Sequence, residues 1–518
     1  MGYLQFLVPV VSTLVLLVLW KLFVDLIWRP RSITKHFAKQ GVRGPPYSVL
    51  TGSLMQIKAL EVEAKQTPMD PSSHDVTPKV LPYYHKWSQQ YGETFLFWFG
   101  TQPRLSIVDP EMIKEVLSTK FGFYTIDKQP PSVDALLGNG LLSIGGLDWV
   151  RHRRALNPAF NIDKLKGMIK RMGDCTVSTV GRWRDEMGVN PRKEFDMHSE
   201  FMQLTGDIIA HTSFGTSYKE GKEVFEVERE LHRMVIDSVT DVYIPGSEYL
   251  PTKWNRRMWR LEKRLRNNLK SIIETKQKMK DSGKGHGYGD DLLGLMLAAS
   301  NEESNKKDGA CLTIDEIVDE CKTFFFAGHE TTSNLLTWAM FFLGSNQEWQ
   351  TKLREEVRSV CGTSEIPDAD KLSKLKLVTM VLYETLRLYS PVIFTERKTV
   401  SDLKLGNLVI PKDTMVTFPF PMIHRNKKYW GEDADEFNPL RFADGFSRAA
   451  KHPNAFIAFS IGPRTCIGQN FAMMEAKTVM AVILQKFSSF TLSPCYKHSP
   501  VNNILLQPEF GVPILFNQ

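Results

Sequence analysis

From Leu4 to Trp28 the chain is apolar except at Gln5, Ser12, Thr13, Lys21 and Asp25. As a helix such a run reaches across the roughly 30 Å hydrocarbon core of a bilayer, so the pattern predicts an N-terminal membrane anchor over residues 1–28. A cleaved leader would carry basic residues before the apolar run and small ones after it; nothing basic precedes Lys21, and Trp28, Arg29 and Pro30 follow. Lys21 and Asp25, four residues apart, pair on one helix face or snorkel. Residues 29–46 then read as a basic and proline-rich linker. Arg29, Arg31, Lys35, Lys39 and Arg43 place the remaining chain on the cytoplasmic side by the positive-inside rule. The stretch Gly41–Pro46 stops a helix, because each proline fixes its own φ and keeps its predecessor extended.

Beyond Pro46, long apolar periodicities of helical spacing dominate. They are broken by Gly, Pro and Asp turns and by one polar, glycine-bearing loop at Asp281–Asp290. Segments of strand character are few and short: Thr94–Phe99, Arg104–Val108 and Met415–Phe418. No internal repeat or low-complexity tract occurs. The predicted fold class is mainly α with a minor β-sheet, one large domain over residues 47–518 behind a transmembrane helix.

Composition adjusts this picture little. With 42% hydrophobic and 24% charged residues in 518, the chain is ordinary globular material able to bury a large core. The net charge of +7 suits membrane lipid or an acidic protein partner; no nucleic-acid-binding motif accompanies it, so no nucleic-acid partner is expected. The densest basic stretch, Lys253 to Lys270, has an apolar seam at Trp254, Met258, Leu261, Leu265 and Ile272, which reads as a helix with a solvated basic face. Six cysteines without CxxC spacing exclude a disulfide framework and a zinc knuckle and point to a reducing compartment. The absence of any Asn-x-Ser/Thr site agrees.

The candidate chemistry centres on Phe459–Gly468, where Gly462, Pro463 and Gly468 constrain a loop around Cys466 and Arg464 lies two residues before it. Core packing of a thiol needs no flanking glycines. A thiolate ligand to haem iron does suit such a loop, and that ligation favours O–O cleavage. Upstream, Glu384 and Arg387 share a helix face and form a charge-assisted pair that Arg441 can join. Trp149 and Arg153, four apart, can both reach an anionic group such as the carboxylates of a haem. Glu330 and Thr331 put an acid and a hydroxyl into a strongly apolar helix, where polar groups need a partner or a purpose. Gly328 and Thr331 together can open a groove there for oxygen and water. His329-Glu330 does not extend to a zinc-protease HExxH motif, because Ser333 stands where the second histidine belongs.

In this order and over nearly the whole chain, these motifs resemble the cytochrome P450 superfamily. Gly41–Leu54, Asp319–Phe326, Trp430–Phe437 and Gly468–Lys477 resemble plant microsomal members of the seventy-two clan. The resemblance implies haem b with Cys466 as axial ligand, Trp149, Arg153, Arg397 and Arg464 on its propionates, and Glu384, Arg387 and Arg441 as a structural brace. It implies Glu330 and Thr331 as the catalytic pair that guides protons to dioxygen. Electrons would come from NADPH through NADPH-cytochrome P450 reductase, and the enzyme would sit in the endoplasmic reticulum membrane, single-pass, with its catalytic domain cytosolic.

By the same resemblance Leu136, Leu137, Leu142, Phe325, Phe326, Ala327, Val392, Ile393 and Phe394 would line the pocket. A lipophilic substrate follows from such a lining: a fatty acid, a terpenoid or triterpenoid, or a plant hormone. Two departures are Ser390, where many relatives have proline, and Glu396, which is expected to pair with Arg397 or Lys398. Two other functions share the thiolate: a haem-thiolate isomerase or dehydratase that needs no reductase, and a haem-binding sensor. The Glu330-Thr331 pair argues for the monooxygenase.

Overall fold

A computed structural model describes residues 2–118, 122–190, 192–215, 222–238, 246–281, 288–301, 311–363 and 365–517. The polar loop expected at Asp281–Asp290 lies largely outside the described residues.

The apolar N-terminus forms an α-helix over Gly2–Phe23 that passes through a π turn, Val24–Trp28, into a second helical stretch, Arg29–Ala38. The stretch Pro9–Ala38 is long and apolar enough to cross a membrane, its most apolar 18-residue window having a mean hydropathy of 2.3 and no part covered by protein. This fits a single-pass anchor. The chain behind it, expected as a basic linker, is helical and docked. Pro30 is tolerated in the first turn, where its missing N–H costs little, and Pro30, Ile33 and Phe37 fall on one face and are buried. Ile33 and Phe37 join a cluster with Leu96, Trp98, Leu105, Val416 and Phe418. The helix ends where Gly41 takes φ +83° and Val42 N–H returns to the Phe37 carbonyl at 3.0 Å.

A variant lacking residues 2–28 is therefore expected to leave the membrane pellet and keep its melting temperature. One lacking residues 2–38 should melt markedly lower, since loss of a single buried Phe costs about 3–5 kcal/mol. Sedimentation and thermal melting check both.

The docked helix leans on a five-stranded sheet: β1 Phe95–Phe99, β2 Gln102–Ser106, β3 Tyr124–Thr125, β4 Phe394–Thr399 and β5 Met415–Pro419, in the order β1-β2-β5-β4-β3. Only β2 and β5 pair in parallel. In β4, Glu396 lies opposite Thr417 and Arg397 opposite Val416. Side chains alternate along a strand, so these two residues point to opposite faces.

The rest is mainly helical, with three small sheets of two, three and two strands among the described residues. The central helix, Ile314–Ser345, starts at a capping box between Thr313 and Glu316 and is buried along most of its length. Helices Met197–Ile209 and Gln469–Lys486 pack against it. The basic helix Lys253–Asp281 buries Met258, Leu261 and Leu265 as the seam predicts and continues it with Leu269 and Ile273, whereas Trp254 stays exposed. Its basic side chains are engaged by acids of neighbouring elements, Arg257 with Glu230, Arg264 with Glu223, Arg266 with Asp319 and Lys270 with Asp315. The exposed pairs among these contribute little, because solvent screens them.

Candidate haem-thiolate site

The loop before helix Gln469–Lys486 is held by its own backbone. Cys466 N–H donates to the Phe459 carbonyl at 2.9 Å, Thr465 N–H to that of Gly462 at 3.0 Å, and Ser460 takes φ +60°. Gly462 has φ +76°, and a Cβ there would sit 2.4 Å from the Leu117 carbonyl oxygen, so glycine is required. Cys466 has accessible surface, yet it lies deep enough that burial raises its thiol pKa, against a hydrogen bond from Gly468 N–H and the charge of Arg153. A Cβ at Gly468 would lie 4.0 Å from the sulfur, in ordinary contact.

Three arginines from distant segments gather on this loop. Arg153 donates to the Thr465 carbonyl at 2.9 Å, and Arg464 donates to the Ile144 carbonyl at 2.7 Å with its guanidinium 4.6 Å from the Trp149 ring centre. Arg397, on β4, donates only to Thr395 Oγ1 and its neighbour's carbonyl. Among the described residues no carboxylate forms an ion pair with any of the three. Burial, with the charges of Arg397 and Arg153, pulls Arg464 down to about 9, and burial pulls Arg397 down to about 10. Like charges desolvated together call for an anion. A dianionic porphyrin with iron for the Cys466 sulfur matches this donor set in charge and in chemistry.

Beneath the site, Arg387 grips Glu384 with two hydrogen bonds, Nε to Oε2 at 2.7 Å and Nη2 to Oε1 at 2.8 Å, and both side chains are fully buried. Its other protons go to the carbonyls of His424, Ala434 and Glu436. Arg441 joins as expected, 3.6 Å from Glu384 and 2.6 Å from Asp433, with a further bond to the Trp430 carbonyl.

The central helix separates the expected catalytic pair. Ala327, Gly328 and Thr331 form its accessible stripe, and Thr331 Oγ1 donates back to the Ala327 carbonyl at 2.6 Å. Glu330 points elsewhere: its Oε1 lies 2.9 Å from His232 Nδ1, and its Oε2 accepts from Gln507 at 3.2 Å. Burial opposes its charge, but the His232 hydrogen bond and charge prevail and hold its pKa low; Glu330 in turn raises that of His232.

The expected pocket residues divide likewise. Leu142 and Val392 are exposed, and Ala327 and Phe394 partly so. Leu136, Leu137, Ile393, Phe325 and Phe326 are buried by protein. Phe325 packs on Phe214 and Phe225, and Phe326 on His232, because a residue one or two positions before Ala327 falls on another face of the helix. Glu396 pairs neither with Arg397 nor with Lys398. It pairs with Arg104 on the far face of the sheet, while Lys398 pairs with Asp127. Ser390 is buried and its hydroxyl has no partner.

Reasoning from sequence missed the polar frame of the loop over the site. Glu320 holds His152 at 2.6 Å and Leu141 N–H at 3.1 Å, and Thr323 donates to the Leu137 carbonyl at 2.8 Å. A Cβ at Gly140 would lie 2.2 Å from Thr323 Oγ1. Buried acids in an apolar helix were the available signal, and Glu330 alone was singled out.

Comparison with known proteins agrees with this geometry. The family model described as Cytochrome P450 matches residues 75–513. Cytochrome P450 709B1 of Arabidopsis thaliana is 48% identical, with 99% of each chain covered. Cytochrome P450 734A6 of Oryza sativa subsp. japonica is 44% identical over 98% of this chain and 94% of its own. Cytochrome P450 72A13 of Arabidopsis thaliana is 39% identical over 98% of both. The chain thus belongs to the cytochrome P450 family, is similar to plant members that include the 72A group, and is a haem-thiolate monooxygenase.

Proposed function

We propose that the protein hydroxylates a lipophilic small molecule, a fatty acid, terpenoid or plant hormone, at the cytosolic face of the endoplasmic reticulum membrane with electrons from NADPH through NADPH-cytochrome P450 reductase. The observation that carries the site assignment is the set of three arginines around the Cys466 loop, Arg397 buried and Arg153 and Arg464 half-buried, with no carboxylate paired to any of them among the described residues. Haem, when bound, supplies an iron centre at which one oxygen of dioxygen enters a C–H bond and the other leaves as water. Cys466 holds the iron as thiolate, which coordination to the cation deprotonates. Arg153, Arg397, Arg464 and Trp149 neutralise and orient the propionates. Glu384, Arg387 and Arg441 fix the segments that carry the loop. Ala327, Leu142, Val392 and Phe394 give the substrate an apolar wall from which water is excluded.

Thr331 holds a proton on the accessible stripe, and the His232–Glu330 pair behind it, with its proton on His232 Nδ1, renews that proton. Thr331→Ala is expected to raise the peroxide released per NADPH consumed several-fold while leaving the reduced carbon monoxide spectrum intact. Unaltered coupling would remove Thr331 from the proton path. The reading as a whole is tested in microsomes with reductase, NADPH and labelled dioxygen. A product carrying one labelled oxygen is expected from one of the three lipid classes. Turnover with hydroperoxide but none with NADPH would make the protein an isomerase or dehydratase instead.

A further inference from the structure

Helix Lys222–Ser238 touches the central helix through Phe225 on Phe325 and His232 on Glu330, and sets a second acid on the same cavity as Glu330. Glu228 is 3% exposed, and neither carboxyl oxygen has a hydrogen-bond partner. It lies one turn before His232, which grips Glu330 at 2.9 Å and reaches the Asn503 carbonyl at 3.3 Å with its other nitrogen. Between the two acids is a cavity of about 20 Å³ lined by Met202, Phe225, Glu228, Arg229, Phe326, His329 and Glu330. That is room for one water, and two carboxyl groups can hold it. Arg229, on the same cavity, is exposed, so one lining residue of the cavity meets solvent.

A buried carboxyl group without partners is stable only when protonated. Burial, reinforced by the charge of Glu330, pushes Glu228 well above the ordinary carboxylate range. The two acids therefore hold opposite states side by side, one neutral and one ionised against His232, which is the arrangement that assigns donor and acceptor in paired-carboxyl sites.

We propose that Glu228 recharges the His232–Glu330 pair with protons during turnover, through a water in the cavity between them. This rests on the reading of the His232–Glu330 pair as the proton source behind Thr331. The pair holds one transferable proton, on His232 Nδ1. After that proton has gone to the Thr331 side, Glu228 gives its own to the cavity water, the water passes one to the pair, and solvent at Arg229 reprotonates Glu228. No electrons move, and each proton lost by one group is gained by the next. Glu228 touches neither substrate nor haem and acts through the pair, in which His232 carries the proton and Glu330 holds it in place.

The test uses the full-length holoenzyme. In the resting protein, infrared spectroscopy should show the carbonyl stretch of a protonated carboxylic acid that shifts in heavy water and disappears in Glu228→Gln, which keeps shape but carries no acidic proton. That variant should release several-fold more peroxide per NADPH and show a larger solvent isotope effect on coupling, with its type-I substrate shift unchanged. Glu228→Asp should restore both band and coupling in part, and it serves alone if the glutamine variant fails to take up haem. Glu475 is likewise buried without partners, so the band is read in the difference spectrum between wild type and Glu228→Gln; if that spectrum shows no lost acid band and coupling is unchanged, the proposal is overturned. A weakened type-I shift with normal coupling overturns it too, making Glu228 a substrate contact. Thr331→Ala, run in parallel, separates the two readings. If it uncouples and Glu228→Gln does not, the relay alone is wrong; if neither uncouples, the role of Thr331 and Glu330 is wrong as well.

Discussion

Replacing Cys466 with alanine is expected to abolish the red-shifted Soret band of the reduced carbon monoxide complex and all NADPH-dependent product, while the protein still folds. The expectation follows from how little the fold asks of this thiol. The sulfur carries accessible surface, and the loop is closed by the backbone bonds of Cys466, Thr465 and Ser460, none of which involves the side chain. Losing it removes the iron's protein ligand without opening a cavity in the core. The change is therefore chemical and total, whereas the melting temperature of the haem-free protein should move little. A retained red-shifted band would mean that another group ligates the iron, and Cys466 would lose its assignment.

The second large effect is expected at the opposite extreme of burial. Arg387→Ala removes a guanidinium that has no solvent contact and that bonds to Glu384 and to three carbonyls. Glu384 would be left as a buried charge facing only Asn438 N–H at 2.8 Å and Arg441 at 3.6 Å. Breaking such a pair from one side costs about 3–5 kcal/mol, a large part of the roughly 5–15 kcal/mol that holds a domain folded. Expression should yield little haem-containing protein, and what accumulates should melt well below the parent. Arg387→Lys should rescue poorly, since an ammonium cannot reproduce the two-point grip on the carboxylate. A normal melting curve for either variant would show that the pair is not a brace.

How much of this was legible in the chain depends on distance along it. The Cys466 loop, the Glu384–Arg387 pair and the central helix are local features, and local spacing dictates them. Arg397 is placed by resemblance, from its spacing after Pro391, and no local pattern announces that its charge will meet that of Arg464. The partners of Glu330 lie about 100 residues before it and nearly 180 after it, at His232 and Gln507, and no periodicity connects such positions. The same holds for His152 with Glu320 and for Arg104 with Glu396. Glu396 illustrates the failure well: its sequence neighbours Arg397 and Lys398 offered obvious partners, yet the two-residue alternation of a strand turns it from Arg397 and toward β2. Phe325 and Phe326 were misplaced for the parallel reason in a helix, where a shift of one residue turns the side chain by about 100°.

The helix that leaves the membrane does not stop at the lipid surface. It runs on to Ala38 and ends wedged against the sheet by Ile33 and Phe37. A rigid rod fixed at one end to a domain and at the other in a bilayer is a lever: a span that tilts to match a thicker or thinner hydrocarbon layer must roll the whole catalytic body with it. With this helix in a bilayer, the height and attitude of the catalytic body over the lipid would follow the thickness of the hydrocarbon layer.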